Sequence, residues 1–156
     1  MSSSAEKLKH ASAVGAIFLV TSLPQVYAYG TNKITTWNKN THEPCPSYKS
    51  KLLHTLIFAI LAVSMMKYMP KLKSDLSDGL IVKYAVYSTL LYFLLSSSEV
   101  YRLTDSVLGG LTQQLPKIGQ RLCDNTGCPT LTGVVLHTVA YVALLFGMMH
   151  MPKDPQ

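Results

Sequence analysis

The segment that begins at Cys45 is written a second time 83 residues later, beginning at Cys128. Cys45-Pro46 recurs as Cys128-Pro129, Leu53-His54-Thr55 as Leu136-His137-Thr138, and Met65-Met66 as Met148-Met149, all at that one offset. Met69-Pro70-Lys71 recurs as Met151-Pro152-Lys153 at an offset of 82. Upstream, Ser22 to Tyr27 (SLPQVY) matches Ser96 to Tyr101 (SSSEVY) at an offset of 74, with Val-Tyr identical and Gln25 opposite Glu99. Composition does not place four short words in the same order at a nearly constant spacing. A period of this kind marks a duplicated structural unit. The change from 74 to 83 puts nine extra residues in the connecting loop of the second copy.

Four apolar runs fill the two copies: Ala11 to about Tyr29, Leu52 to Met69, Leu80 to about Ser97, and Leu131 to Met151. Each is close to the ~20 residues that an α-helix needs to cross hydrocarbon. None alternates with period two, which excludes barrel strands. Apolar residues surround these runs instead of forming one stripe, which argues against a soluble bundle. Charged residues make up 14% of the chain, where a soluble domain carries about 25%.

The predicted fold is therefore an all-α membrane protein. Four transmembrane helices form two tandem helical hairpins, repeated in parallel about an axis along the membrane normal. Residues 1–71 make the first hairpin, 72–84 a link and the start of the third helix, and 85–156 the second hairpin with its longer loop. The termini and the Met-Pro-Lys link then lie on one side, and both Cys-Pro loops on the other. The first run is read as a retained spanning helix. Lys7 and Lys9 before it, and Val26-Tyr27-Ala28 near its end, also give it the look of a signal peptide. Lysines and arginines divide seven to seven between the two sides, so charge does not orient the chain. The net charge of +6 sits at the ends of the apolar runs, which points to lipid headgroups or an acidic partner surface and away from nucleic acid.

No catalytic, cofactor or metal constellation is recognised. There is no phosphate loop, no His-Glu-x-x-His and no hydrolase triad in context. His54 and His137 are repeat-equivalent polar groups inside spans. They read either as a metal or proton site or as side chains hydrogen-bonded to a neighbouring helix. Of the three cysteines, Cys123 and Cys128 flank a turn that a disulfide would close, and Cys45–Cys128 is the rival pairing. Pro24 should kink or end the first helix, while its counterpart, Ser98, imposes no break. Arg102 to Leu122 reads as an amphipathic segment, interrupted by Gly109-Gly110 and Pro116, that lies on a lipid surface or docks on a partner. Trp37, Arg102, Lys117 and Arg121 are candidate headgroup or partner contacts.

At Ser22-Leu23-Pro24-Gln25-Val26-Tyr27, Gly127-Cys128-Pro129-Thr130 and Leu136-His137-Thr138 the chain resembles small multi-pass membrane proteins of nucleocytoplasmic large DNA viruses. The first copy departs from the pattern at Glu43-Pro44-Cys45-Pro46-Ser47, which lacks the glycine. The resemblance implies a structural protein of the virion inner membrane, a minor capsid component linking membrane to shell. Its implied partners are the bilayer, capsid or other membrane proteins, and copies of itself. It also implies that a disulfide would be compatible with the virion. The alternative is a small oligomeric channel or transporter subunit, whose polar path would run past His54, His137, Thr55 and Thr138.

Overall fold

The computed structural model describes residues 4–27, 48–68, 78–113, 121–124 and 128–150. Five long helices account for most of them: α1 (Ser4–Ser22), α2 (Tyr48–Tyr68), α3 (Asp78–Leu95), α4 (Ser98–Gln113) and α5 (Leu131–Met148). A helical turn follows α1 at 24–27. Among the described residues there is no strand, only an isolated antiparallel bridge between Cys123 and Pro129.

Two helices are long and apolar enough to cross a membrane: α2, with a mean hydropathy of 1.4, and α5, at 1.9. The apolar part of α3, Ile81–Leu95, is shorter. The helix α1 starts seven residues before its apolar run and carries Glu6, Lys7 and Lys9 in its opening turns.

The duplication governs the packing. The buried face of α2 is Ser50, His54, Phe58, Ala62 and Met66, and the buried face of α5 includes Gly133, His137, Tyr141 and Leu145. Adding 83 to the first four positions of α2 gives those four positions of α5. Likewise Ala11, Val14 and Phe18 of α1 are buried where Ala85, Ser88 and Tyr92 of α3 are buried, at the offset of 74. A spacing of four keeps these groups on one side of an α-helix.

The buried rings meet as a tetrad in which every contact has its mate. Phe18 stacks on Tyr141 at 4.7 Å, and Phe58 stacks on Tyr92 at 4.3 Å. The equivalent rings Phe18 and Tyr92 meet edge-on at 5.4 Å, as do Phe58 and Tyr141 at 6.0 Å. Exchanging the two copies maps each stacked pair onto the other, which is the signature of an internal two-fold axis. All four side chains are 0% exposed, so they close the space between α1, α2, α3 and α5.

The heaviest packing joins α1 to α5 and α2 to α3. Each helix thus leans more on the other copy than on its own hairpin partner, and neither hairpin has a core by itself. Close approach is built in at two glycines. A Cβ at Gly15 would overlap the Val142 side chain, and one at Gly133 would overlap the Leu122 carbonyl oxygen.

Both copies break their first helix at the same register. In α1 the break precedes Pro24, as the proline predicts. In the second copy, Ser98 was expected to impose no break, yet α3 stops at Leu95 and α4 begins at Ser98. Serines take the place of proline here. The Ser97 hydroxyl donates to Leu94 O at 2.6 Å, competing with the helix for its backbone. The helix α4 then runs through Gly109-Gly110 to Gln113 without interruption. Pro116 and the Met-Pro-Lys motifs lie outside the described residues.

Candidate functional site

A helix that stops inside a bundle leaves carbonyls without N–H partners, and a buried polar group left so is costly. The two repeat-equivalent histidines answer this at the ends of α1 and α3. His54 Nδ1 lies 3.3 Å from Thr21 O, and His137 Nδ1 lies 2.8 Å from Leu95 O. A carbonyl only accepts, so Nδ1 is the protonated ring nitrogen in both. Thr21 and Leu95 are themselves equivalent at the offset of 74.

Each imidazole also lies flat on the tyrosine of its own copy's Val-Tyr pair. His54 stacks on Tyr27 at 4.0 Å, and His137 on Tyr101 at 3.8 Å. The motif words Val-Tyr and Leu-His-Thr, far apart in the chain, are therefore the two halves of one device. The threonines that follow the histidines turn back on their own helices: Thr55 Oγ1 donates to Lys51 O and Thr138 Oγ1 to Val134 O, both at 2.8 Å.

The copies differ at the far ring nitrogen. His137 Nε2 is 3.2 Å from Thr104 Oγ1. The Thr104 hydroxyl has one proton and two acceptors in reach, because Val100 O is 2.7 Å away. His54 Nε2 is buried with no hydrogen-bond partner. At the offset of 74, Thr104 corresponds in sequence to Gly30, which has no hydroxyl. Thr21 O has a second donor in Tyr92 OH at 3.4 Å, and Tyr92 OH is 3.3 Å from Tyr27 OH.

The cysteine expectation needs correction. Cys123 is a free, buried thiol, so the proposed Cys123–Cys128 bridge is not formed. The bridge of Cys123 to Pro129 explains this. With Pro129 opposite Cys123, Cys128 is one residue out of register and faces the other side of the ribbon. Hydrogen bonds close the turn instead. Asp124 N donates to Cys128 O at 2.9 Å, and Cys128 N to Asp124 Oδ1 at 2.9 Å. Cys123 packs against Tyr101 and Val134. Burial, with Asp105 and Asp124 nearby, pushes its thiol above the ordinary range. Cys45 lies outside the described residues.

The return of the second loop is anchored to α4 and α5. Leu122 N donates to Asp105 Oδ1 at 2.8 Å, and Thr130 caps α5 by accepting from Gly133 N at 3.2 Å. Of the expected surface contacts, Arg102 and Arg121 are both exposed, and Trp37 and Lys117 lie outside the described residues. On α4, Leu103 and Val107 point outward, 64% and 68% exposed. Glu99 at the start of α4 is exposed and accepts from Ser98 Oγ at 3.2 Å. A hydrogen bond from its own backbone amide, with smaller help from Ser98, Lys51 and Arg102, holds its carboxyl below the usual range.

Among the described residues, no group of three or more His, Cys, Asp or Glu is placed to hold a metal ion. The sequence reading missed the aromatic tetrad and the Tyr–His stacks. Their signal was available, because Phe18/Tyr92 and Phe58/Tyr141 fall on the same two offsets as the identical words. Aromatic likeness is a weaker match than identity. Compared with known proteins, the chain matches no protein-family model, no curated protein and no solved structure.

Proposed function

We propose that the chain is a structural membrane protein whose four apolar helices, α1, α2, α3 and α5, all cross the bilayer. The observation that carries this reading is the distribution of side chains between inside and outside. The outward rows are aliphatic: Leu52, Leu56 and Ile60 on α2, Val82, Val86, Leu90 and Leu94 on α3, and Val135 and Val139 on α5 are all exposed. The inward rows mix Phe18, Phe58, Ala62 and Leu145 with the polar side chains of Ser50, His54, Ser88 and His137 and the hydroxyl-bearing rings of Tyr92 and Tyr141. A water-soluble fold does not leave such long aliphatic rows on its surface. In lipid the association of helices comes from close packing and interhelical hydrogen bonds, which calls for small and polar groups inside. Gly15, Ser88, His54 and His137 supply them.

A linking role, rather than transport, is supported by the closure of the bundle axis. The aromatic tetrad fills it, and Thr55 and Thr138 spend their hydroxyls on their own helices, so the described residues of a single chain form no polar path of the kind the channel alternative requires. The loop end carries the features of a docking face: the exposed Arg102 and Arg121, and the amphipathic α4 with Leu103 and Val107 outward. Taken with the resemblance of the motifs, this end is proposed to bind a coat or other membrane protein at the inner membrane of a large icosahedral DNA virus. Cys128 is disulfide-bonded. With Cys123 free, its bridge is proposed to run to its repeat-equivalent, Cys45, tying the two loops together.

Two measurements on membranes carrying the full chain test the reading. Alkaline carbonate should leave the chain in the membrane pellet. Crosslinkers placed at Arg102 and Arg121 should capture a coat-type protein from intact particles. Release by carbonate would overturn the membrane assignment. Ion flux through liposomes without such a captured protein would favour the channel.

A further inference from the structure

At the loop end of the bundle the helix termini surround a partly enclosed cavity of about 30 Å³. It has room for one or two bodies the size of water. Its wall includes Ser22, Tyr27, Ser96 and Tyr101. These are two equivalent pairs at the offset of 74, so the cavity straddles the internal two-fold axis. Ser22 Oγ, Ser96 Oγ and Tyr101 OH are buried and have no hydrogen-bond partner among the described residues. Ser22 is 2% exposed and Tyr101 is 1% exposed. Three orphaned hydroxyls around one small space is an unusual cost, since each unpaired buried group forfeits about 1–3 kcal/mol.

The electrostatics of the wall favour negative charge. Lys51, in the first turn of α2, lines the cavity. So do Ser98, the first residue of α4, and Pro129, two residues before α5. Three helix N-termini thus converge there, each with the partial positive charge of unpaired N–H groups. The C-termini of α1 and α3 end nearby, but Thr21 O and Leu95 O are already taken by His54 and His137. Among the described residues, no carboxylate lines the cavity. Glu99 is close to Lys51 but exposed.

We propose that this axial cavity is a binding site for a small monovalent anion of halide size, held by the hydroxyls of Ser22, Ser96 and Tyr101 and by the Lys51 ammonium. Hydroxyl groups donate to an anion without the desolvation cost of a second buried charge. The anion would pin the broken ends of α1 and α3 to the starts of α2 and α5, joining both copies at their shared axis.

The full chain in an uncharged detergent tests this at constant ionic strength. Chloride or bromide, replacing gluconate, should raise the unfolding temperature with a saturable dependence. The ³⁵Cl resonance should broaden in the presence of protein and sharpen again when bromide competes. Lys51→Gln should weaken the apparent affinity by about tenfold or more, and the double variant Ser22→Ala/Ser96→Ala should abolish the broadening. The resonance measurement on the unaltered chain needs no variant to fold. No excess broadening, or equal unfolding temperatures in halide and gluconate, overturns the proposal. Broadening that survives both substitutions does so too.

Discussion

The asymmetry between the two histidines makes a sharp prediction, because one device is built twice and completed once. Replacing each imidazole by a phenyl ring keeps an aromatic group of similar volume on the tyrosine beneath it and deletes only the hydrogen bonds. In His137→Phe the 2.8 Å bond to Leu95 O disappears, together with the 3.2 Å contact to Thr104, whose one proton also has Val100 O in reach. At about 1 kcal/mol for the bond to Leu95 O, plus about 1–2 kcal/mol for leaving that carbonyl buried and unpaired, the cost comes to roughly 2–3 kcal/mol. In His54→Phe only the longer bond to Thr21 O is lost. The Thr21 carbonyl keeps Tyr92 OH as a donor, and the substitution removes the unpartnered Nε2. The net effect should lie within about 1 kcal/mol of zero. Reversible unfolding of the purified chain in mixed micelles, titrated with a denaturing detergent, measures both. A gap of about 2 kcal/mol or more, with His137→Phe the weaker protein, is expected. Equal losses, or a larger loss for His54→Phe, would refute the account of the histidines as hydrogen-bond caps of unequal completeness.

Other substitutions test the packing and the cysteines. Gly133→Ala sets a methyl against the Leu122 backbone and should cost several kcal/mol or prevent folding. Gly15→Ala meets only the Val142 side chain and should cost about 1–3 kcal/mol; both are read by the same micelle titration. Phe58→Ala opens a cavity in the tetrad and should destabilise by about 3–5 kcal/mol, and Tyr141→Ala, its mate in the other copy, by a similar amount. Cys123 should resist maleimide at pH 8 in the folded chain, because burial holds it as the thiol and the thiolate is the nucleophile. It should react promptly in denaturant, as judged by intact mass. Peptide mapping without reductant should recover Cys45 and Cys128 in one linked fragment and Cys123 as a free thiol.

The duplication and the all-helical character were open to reading in the sequence, because both are carried by local words and by the length of apolar runs. Identical residues at offsets of 74 and 83 pair His54 with His137 and Tyr27 with Tyr101. The proline break after α1 was legible for the same reason, since proline acts on its own backbone. The serine break after α3 was not. Ser96-Ser97-Ser98 tolerates a helix as well as a turn, and the outcome depends on a histidine from α5 arriving to take the freed Leu95 carbonyl. The disulfide expectation failed on a similar point. Spacing says that Cys123 and Cys128 are near each other, but the side a cysteine faces is set by its partner across the ribbon, and that partner, Pro129, puts Cys128 on the opposite face.

What the sequence determined by itself was the repeated unit: which residues correspond, where helices form, and which positions recur on one helix side. Only the tertiary structure decided which copy each helix packs against. Pairing α1 with α5 and α2 with α3, instead of within hairpins, requires the four rings to meet at one axis and Gly15 to lie against Val142. Such fits depend on the shapes of surfaces distant in sequence, which no single stretch of the chain encodes. The same convergence brings Lys51, which lies outside the repeated words, to Ser22, Ser96 and Tyr101, which lie within them, around one small cavity.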